Sequence, residues 1–303
     1  MKILITGAAG FIGSHIVDKY INLGHKVVVI DNLSSGFRKN LNPRAKFYKV
    51  DIRNVKALEK IIKKEKPQII SHHAAVSEVV KSLKDPNLTY QVNILGTVNV
   101  LLAGVSIGVK KFIFASSAGT VYGNAKKLPA KEESPANPLS PYAISKIVGE
   151  EFIEFYAKIY GFDYLILRYA NVYGPRQNPR GEAGVIAIFT DLMKRNIRPK
   201  IFGDGNKTRD YIYIDDTIRA NIIGLKRGKK EVFNIGSGKE ISDRKVFDTL
   251  AQAINFKKTP IYAPFRSGEV YRIYSDCSRA KKILGWKPKM DFKEGIKRYL
   301  NSL

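Results

Sequence analysis

The chain has 303 residues, 44% hydrophobic and 26% charged, which supplies a large core and excludes disordered and fibrous classes. Lysine and arginine outnumber aspartate and glutamate by 52 to 27, a formal net charge of +25, so the summed field favours anionic partners. The basic residues are scattered (Lys56, Lys60, Lys63, Lys64, Lys66 in one stretch alone) and form no reading motif, so no nucleic-acid partner is expected.

The first element is an apolar strand, 3–6, followed by Thr6-Gly7-Ala8-Ala9-Gly10-Phe11-Ile12-Gly13. Strand, glycine turn and helix in that order let backbone amides and the positive end of a helix dipole meet a pyrophosphate. Helix 12–23 leads to a second strand, 27–31, which ends in Asp31. A carboxylate there accepts bonds from an adenosine ribose and repels a 2′-phosphate, which favours NAD over NADP. Further strands are expected at 46–51, 68–72, 112–115 and 164–167, and further helices at 55–64, 88–107 and 141–159. Strict alternation argues for a parallel, doubly wound α/β sheet of Rossmann type, because parallel neighbours need crossovers. Asp51 and Ile52 close the third strand, where Asp51 either meets the adenine or caps the next helix. Ala74 and Ala75 are small enough to let a cofactor lie on the strand ends. Asn93 sits in a helix despite poor propensity, and a bridging role near the site is weighed against simple exposure.

From about residue 169 the texture changes to Gly/Pro/Asn-rich loops such as 174–181. We therefore expect an NAD-binding domain at 1–168 and a mainly substrate-binding lobe at 169–303, with 232–235 able to return to the sheet. Asp215 and Asp216 follow an apolar run and are read as helix-capping acids. The lone Cys277 excludes an intrachain disulfide and fits a reducing compartment, with the cytoplasm as default. The histidines 15, 25, 72 and 73 show no ligand spacing with it, so no metal is expected, and His72 and His73 are read as satisfied polar residues. Met1-Lys2 leads directly into the first strand, and no apolar run is read as reaching membrane-spanning length, so no membrane partner is expected.

Chemistry concentrates at 112–117 and 142–146. Tyr142 and Lys146 stand four apart, so on a helix the ammonium shares a face with the phenol and can favour its ionised form. Strand 112–115 runs into Ser116 and Ser117 at its carboxyl end, where ligands gather in such sheets. Ser117 is the chosen partner of Tyr142, with Ser116 and Thr120 as alternatives.

Together with 31–36, 115–123, 168–177, 203–211 and 266–269, these motifs resemble the extended short-chain dehydrogenase/reductase family over nearly the whole chain, and within it the nucleotide-sugar epimerases. The resemblance implies Tyr142, Lys146 and Ser117 as catalytic residues. Around NAD it implies Gly7, Gly10, Phe11, Ile12, Gly13, Asp31, Asn32, Ser35, Gly36, Asp51, Ile52, Ala74, Ala75, Asn93 and Tyr169, together with Tyr142 and Lys146. Ser117, Tyr142, Asn171, Asn178, Val185, Arg209, Arg266 and Glu269 are implied for a UDP-sugar, and the two guanidinium groups suit a diphosphate on charge grounds. The implied reaction is NAD-dependent C4 epimerisation of a UDP-sugar, UDP-glucose/UDP-galactose first, through a transient 4-keto sugar. N-acetylglucosamine and glucuronate forms remain open, since Ile273 has intermediate bulk where the family regulates access of an N-acetyl group. A 4,6-dehydratase would use the same oxidation, but Ala118-Gly119 stand where those enzymes carry an acid pair. The family also implies a homodimer built on 88–107 and 141–159.

Overall fold

Every strand of the central sheet is apolar at consecutive positions, because both of its faces are covered. The computed structural model describes residues 1–180, 184–266 and 268–303. Gly181 and Ser267, which belong to two of the motifs above, lie outside the described residues. The first half runs β1 (Lys2–Thr6), α1 (Phe11–Asn22), β2 (Lys26–Asp31), β3 (Lys46–Lys49), α2 (Val55–Glu65), β4 (Ile69–His72), α3 (Val79–Lys84), α4 (Pro86–Val105), β5 (Lys111–Ser117), α5 (Pro141–Tyr160) and β6 (Asp163–Tyr169). The second half adds β7 (Asn171–Tyr173), α6 (Val185–Lys194), β8 (Lys200–Phe202), β9 (Thr208–Tyr213), α7 (Ile214–Gly224), β10 (Glu231–Ile235), β11 (Glu240–Ser242), α8 (Asp243–Ile254), β12 (Ile261–Ala263) and α9 (Phe292–Asn301).

Among the described residues, seven strands form one sheet in the order β10-β6-β5-β4-β1-β2-β3, with every pairing parallel. This is the expected Rossmann-type sheet. Period-two alternation sends Ile3, Ile5, Val27, Val29, Ile113, Leu165 and Leu167 into one core, and Leu4, Val28, Ile30, Ile70, Phe112, Phe114 and Ile166 into the other. Each such side chain is worth about 1.5–3 kcal/mol when removed from water. Strand β10 pairs with β6, so a segment of the second half completes the sheet. Outside it, β7, β9 and β11 form a small sheet, and β8 pairs with β12. A third cluster, Ala118, Val121, Tyr122, Ala130, Val270 and Ile273, joins the end of β5 to the C-terminal segment.

Several expectations need correction. Strand β3 ends at Lys49, so Asp51 lies in the following turn, and the cap of α2 is Asn54, whose side chain accepts from Ala57 N–H at 3.1 Å. Asp215 and Asp216 lie inside the first turn of α7, which has no side-chain cap. There their charge complements the helix dipole, and Asp216 Oδ2 accepts the N–H groups of Lys289 and Met290 at 2.9 Å each. The membrane expectation also meets an exception: α4 is 20 residues with a mean hydropathy of 1.4, apolar and long enough to span a bilayer. It buries Thr97, Val100, Leu101, Ala103 and Gly104, and Val100, Leu101 and Ala103 belong to the second core, which accounts for its hydropathy.

Candidate active site

The glycine turn is built by close approach. Gly7 has φ +69°, and a Cβ there would lie 2.5 Å from Ala74 N, while a Cβ on Gly13 would lie 2.5 Å from Gly7 O. Only glycine satisfies the backbone at the first position without strain. Thr6 Oγ1 accepts the N–H groups of His73 and Ala74 at 3.3 Å each, which fastens the β4 end to the turn. The N-cap of α1 is Gly10, without a side-chain cap, so first-turn amides are left for an anion. Asp31 is buried at the end of β2, and its oxygens accept from Ala9 N–H at 2.9 Å and Leu33 N–H at 2.7 Å. A Cβ on Gly36 would lie 2.7 Å from Ala9, and Phe37 N–H donates to Ala9 O at 3.0 Å, so the 35–36 turn rests on the glycine turn. Asn32 Nδ2 donates to Asp51 Oδ2 at 2.9 Å. The Arg53 guanidinium, bonded to Asp51 at 3.0 and 2.8 Å, holds that carboxyl well below the usual carboxylate range. Phe11 and Ile12 open α1, Ile52 is buried, and Ala74 and Ala75 follow β4, half-buried. This cradle, closed to any Cβ at Gly7 and Gly13 and provided with free helix-end amides and a buried carboxylate, fits a dinucleotide.

His72 is fully buried and bonds Thr6 Oγ1 at 2.6 Å and Thr97 Oγ1 at 2.9 Å. Thr97 Oγ1 donates to Asn93 O at 2.6 Å, which assigns the His72 proton to Nε2. His73 bonds Ser71 Oγ at 2.9 Å and stacks on Tyr169, with the ring planes 8° apart. Its Nδ1 is buried without a hydrogen-bond partner among the described residues. Burial and then the charge of Lys146 push His73 down to about 3. The reading of both histidines as satisfied therefore holds for His72 and half of His73. Tyr169 OH accepts from Asn221 Nδ2 at 2.8 Å. Asn93 is buried within a π-helical stretch, Gln91–Leu95. It accepts from Val76 N–H at 2.8 Å and donates to Val76 O at 2.9 Å and Ser145 Oγ at 3.0 Å. Ser145 Oγ donates in turn to Tyr142 O at 2.7 Å, so Asn93 anchors the loop after β4 to the helix that carries Tyr142.

Helix α5 opens on Ser140, whose side chain accepts from Ala143 N–H at 3.2 Å, with Pro141 in the first turn. Tyr142 and Lys146 are both buried on its inner face. Burial pushes the Tyr142 phenol up to about 12, opposed by the nearby Ser117 hydroxyl. Lys146 Nζ donates to Ala115 O at 2.8 Å and lies 4.8 Å from the centroid of the Phe114 ring and 5.7 Å from that of Tyr142. Burial draws Lys146 down to about 8, opposed by the charge of Glu150. The expectation that the ammonium favours an ionised phenol is thus corrected for the protein alone: desolvation dominates, and the cation is engaged by a backbone carbonyl.

Strand parity separates the two serines. Ser116 points to the other side of β5 and donates to Glu150 Oε1. Arg168 clamps the same carboxylate through Nε at 3.0 and 3.1 Å and Nη2 at 2.6 Å, and its Nη1 donates to Tyr122 OH at 2.9 Å. Thr120 Oγ1 is buried without a partner among the described residues. A Cβ on Gly119 would lie 3.0 Å from Asn171 Oδ1 and 3.9 Å from Ser117 Oγ, so Asn171 borders the Ser117 side of the site.

The remaining positions spread over the second half. Val185 opens α6 behind Gly184, which has φ +106°. Asn178 Oδ1 accepts from Arg180 N–H at 3.0 Å, a local turn. Arg209 Nη1 donates to Thr208 O at 2.8 Å. The Arg266 guanidinium lies 3.4 Å from the centroid of the Phe202 ring, and its Nη1 is 3.9 Å from Glu269 Oε1. Glu269 Oε2 accepts from Lys207 Nζ at 2.5 Å. Lys207 was not singled out from sequence, and neither was Glu150; the latter carried a signal, since it lies four residues after Lys146 on the same helix face.

A family model described as the NAD dependent epimerase/dehydratase family matches residues 3–236. The chain is 41% identical over 302 residues to the UDP-glucose 4-epimerase of Mycolicibacterium smegmatis, covering 98% of this chain and 96% of that one. The solved UDP-glucose 4-epimerase of Thermotoga maritima with UDP-glucose is similar at a TM-score of 0.98 and 45% identity, covering 100% of this chain and 98% of that one. The Thermus thermophilus UDP-glucose 4-epimerase in complex with NAD is similar at 0.95 and 38% identity, with the same coverage. The chain therefore belongs to the NAD dependent epimerase/dehydratase family, within the extended short-chain dehydrogenases/reductases that its motifs resemble.

Proposed function

We propose that the protein is an NAD-dependent UDP-sugar 4-epimerase that interconverts UDP-glucose and UDP-galactose. The observation that carries this reading is the meeting of Ser117, Tyr142 and Lys146 at the carboxyl end of β5, beside the glycine turn. NAD, when bound, supplies a reversible hydride acceptor and a positive charge near the phenol. The cradle at Gly7, Gly10 and Gly13 and the Asp31 carboxylate hold it. Tyr142 takes the proton of the C4 hydroxyl as that carbon is oxidised, and returns it to the 4-keto oxygen after the sugar has turned over. Lys146, together with the nicotinamide's positive charge, draws the phenol down from the raised position it has in the protein alone. Ser117 donates to the oxygen on which charge develops. Arg209 and Arg266 hold the diphosphate while the sugar turns, Asn171 and Val185 border the sugar, and Glu269 accepts from the nucleotide ribose.

Buried Ala118 and the adjacent Gly119 follow Ser117 and carry no group for removing water, which argues against a dehydratase. We assign 1–168, with β10, to cofactor binding and the rest of the second half to substrate. Exposed Leu95, Phe155, Ile159 and Tyr160 on the neighbouring helices α4 and α5 support a homodimer. A lone cysteine supports a reducing, cytoplasmic location. The test is conversion of UDP-galactose to UDP-glucose by the wild type and by Tyr142→Phe. The expected result is a loss of at least about a hundredfold in kcat with NAD still bound, and full activity in the variant would sink the assignment.

A further inference from the structure

Lys207 is buried immediately before β9, where an ammonium is costly unless it is paired. Its Nζ lies 2.5 Å from Glu269 Oε2 and 3.3 Å from Asp243 Oδ2, so one cation faces two carboxylates. Asp243 is fixed independently, since its N–H donates to Lys207 O at 3.0 Å and it opens α8. Glu269 sits in a loop and has two cations to choose from. Its Oε2 is on Lys207, while its Oε1 remains 3.9 Å from Arg266 Nη1, beyond hydrogen-bond reach. Arg266 meanwhile has its guanidinium carbon 3.4 Å from the centroid of the Phe202 ring, and at 3.9 Å from Glu269 it is not closed into a carboxylate fork.

We infer that Lys207 is a positioning residue for the nucleotide end of the site: by holding Glu269 it keeps that carboxylate off Arg266, leaving the guanidinium for the substrate diphosphate. The inference rests on the epimerase reading above. Without the ammonium, Glu269 closes the gap to Arg266 in a bidentate pair, and the diphosphate has to compete with an internal anion. Asp243 cannot make this substitution, because its place at the start of α8 is set by backbone contacts.

The test measures UDP binding by calorimetry and kcat and KM for UDP-galactose in wild type, Lys207→Met and Lys207→Arg, and repeats Lys207→Met on a Glu269→Gln background. Lys207→Met is expected to weaken UDP and raise KM by about tenfold, the scale of one misplaced charge-assisted hydrogen bond. Its kcat should stay within about twofold, because the reacting atoms are untouched, and Lys207→Arg should retain most of the affinity. On Glu269→Gln, where no carboxylate can capture Arg266, Lys207→Met should cost nothing more. An equal loss in both backgrounds, or unchanged UDP affinity in Lys207→Met, overturns the inference. If Lys207→Met does not fold, Lys207→Gln, which keeps a donor without the charge, takes its place in the same cycle. A wild type that neither binds UDP nor converts the sugar defeats the epimerase reading instead.

Discussion

Three hydroxyls, on Ser116, Ser117 and Thr120, crowd the end of β5, and their surroundings assign them different costs on removal. Ser117→Ala deletes the hydroxyl that lies beside the Tyr142 phenol and lowers its pKa. Loss of one donor aimed at developing charge lowers kcat by about 10²–10³-fold, or roughly 3–4 kcal/mol, with little change in stability because Ser117 is only half-buried. Ser116→Ala removes one of the bonds to Glu150 but leaves the Arg168 clamp at 2.6–3.1 Å in place. Its cost falls on folding, about 1.5–3 kcal/mol for a lost bond to a charged group, and kcat should stay within a few-fold. Thr120→Val keeps the shape and deletes a hydroxyl whose oxygen is buried without a partner among the described residues, so stability should be unchanged or slightly raised. Steady-state conversion of UDP-galactose and urea unfolding of each variant give the two readouts. A kcat loss in Ser116→Ala or Thr120→Val as large as that in Ser117→Ala would refute this division of roles.

Two further outcomes follow from burial. Because folding lowers Lys146 to about 8 from its ordinary 10.5, the unfolded chain binds more protons between those values, and stability should rise with pH across that window. In nucleotide-free protein, urea midpoints of wild type and Lys146→Met should converge as pH rises from 8 to 10.5, and parallel curves would contradict the buried-ammonium account. For the dimer, sedimentation velocity should give twice 34.0 kDa for wild type and the monomer for Phe155→Asp, and a monomeric wild type would remove that proposal.

The sheet was legible because each of its strands is a short apolar run, and the cores on both faces make such runs continuous. Where an element is marked by something other than hydropathy, its limits were harder to read. The β3 strand stops at Lys49, and the last rung of its parallel ladder is Val50 N–H donating to Asp31 O at 3.1 Å; where such a ladder ends depends on the neighbouring strand, which no local pattern announces. The small sheet of β7, β9 and β11 escaped for a similar reason: β7 and β11 have three residues each, too few for periodicity to register. Strand β10, of five residues with Phe233, Asn234 and Ile235 buried, was long enough to be suspected of returning to the sheet.

At the site, spacing alone can bring residues to one helix face but cannot say what the solvent-free interior does to their charges. The four-residue step from Tyr142 to Lys146 places both on the inner face of α5, as read. In the protein without the nicotinamide charge, desolvation, a property of the surrounding core, raises the phenol, and spacing carries no information about that cost. The same limit explains the polar residues that were missed. Glu150 and Arg168 lie 18 residues apart and Lys207 and Glu269 lie 62 apart, and each pair exists only because buried charges must find partners once the sheet has formed. In both cases the buried pair fixes a neighbour: Ser116 beside Ser117 in the first, and Arg266 across Glu269 in the second. Residues assigned to substrate and cofactor are therefore announced by motif, whereas the residues that orient them are announced by burial, and only the folded chain reveals which charges are buried.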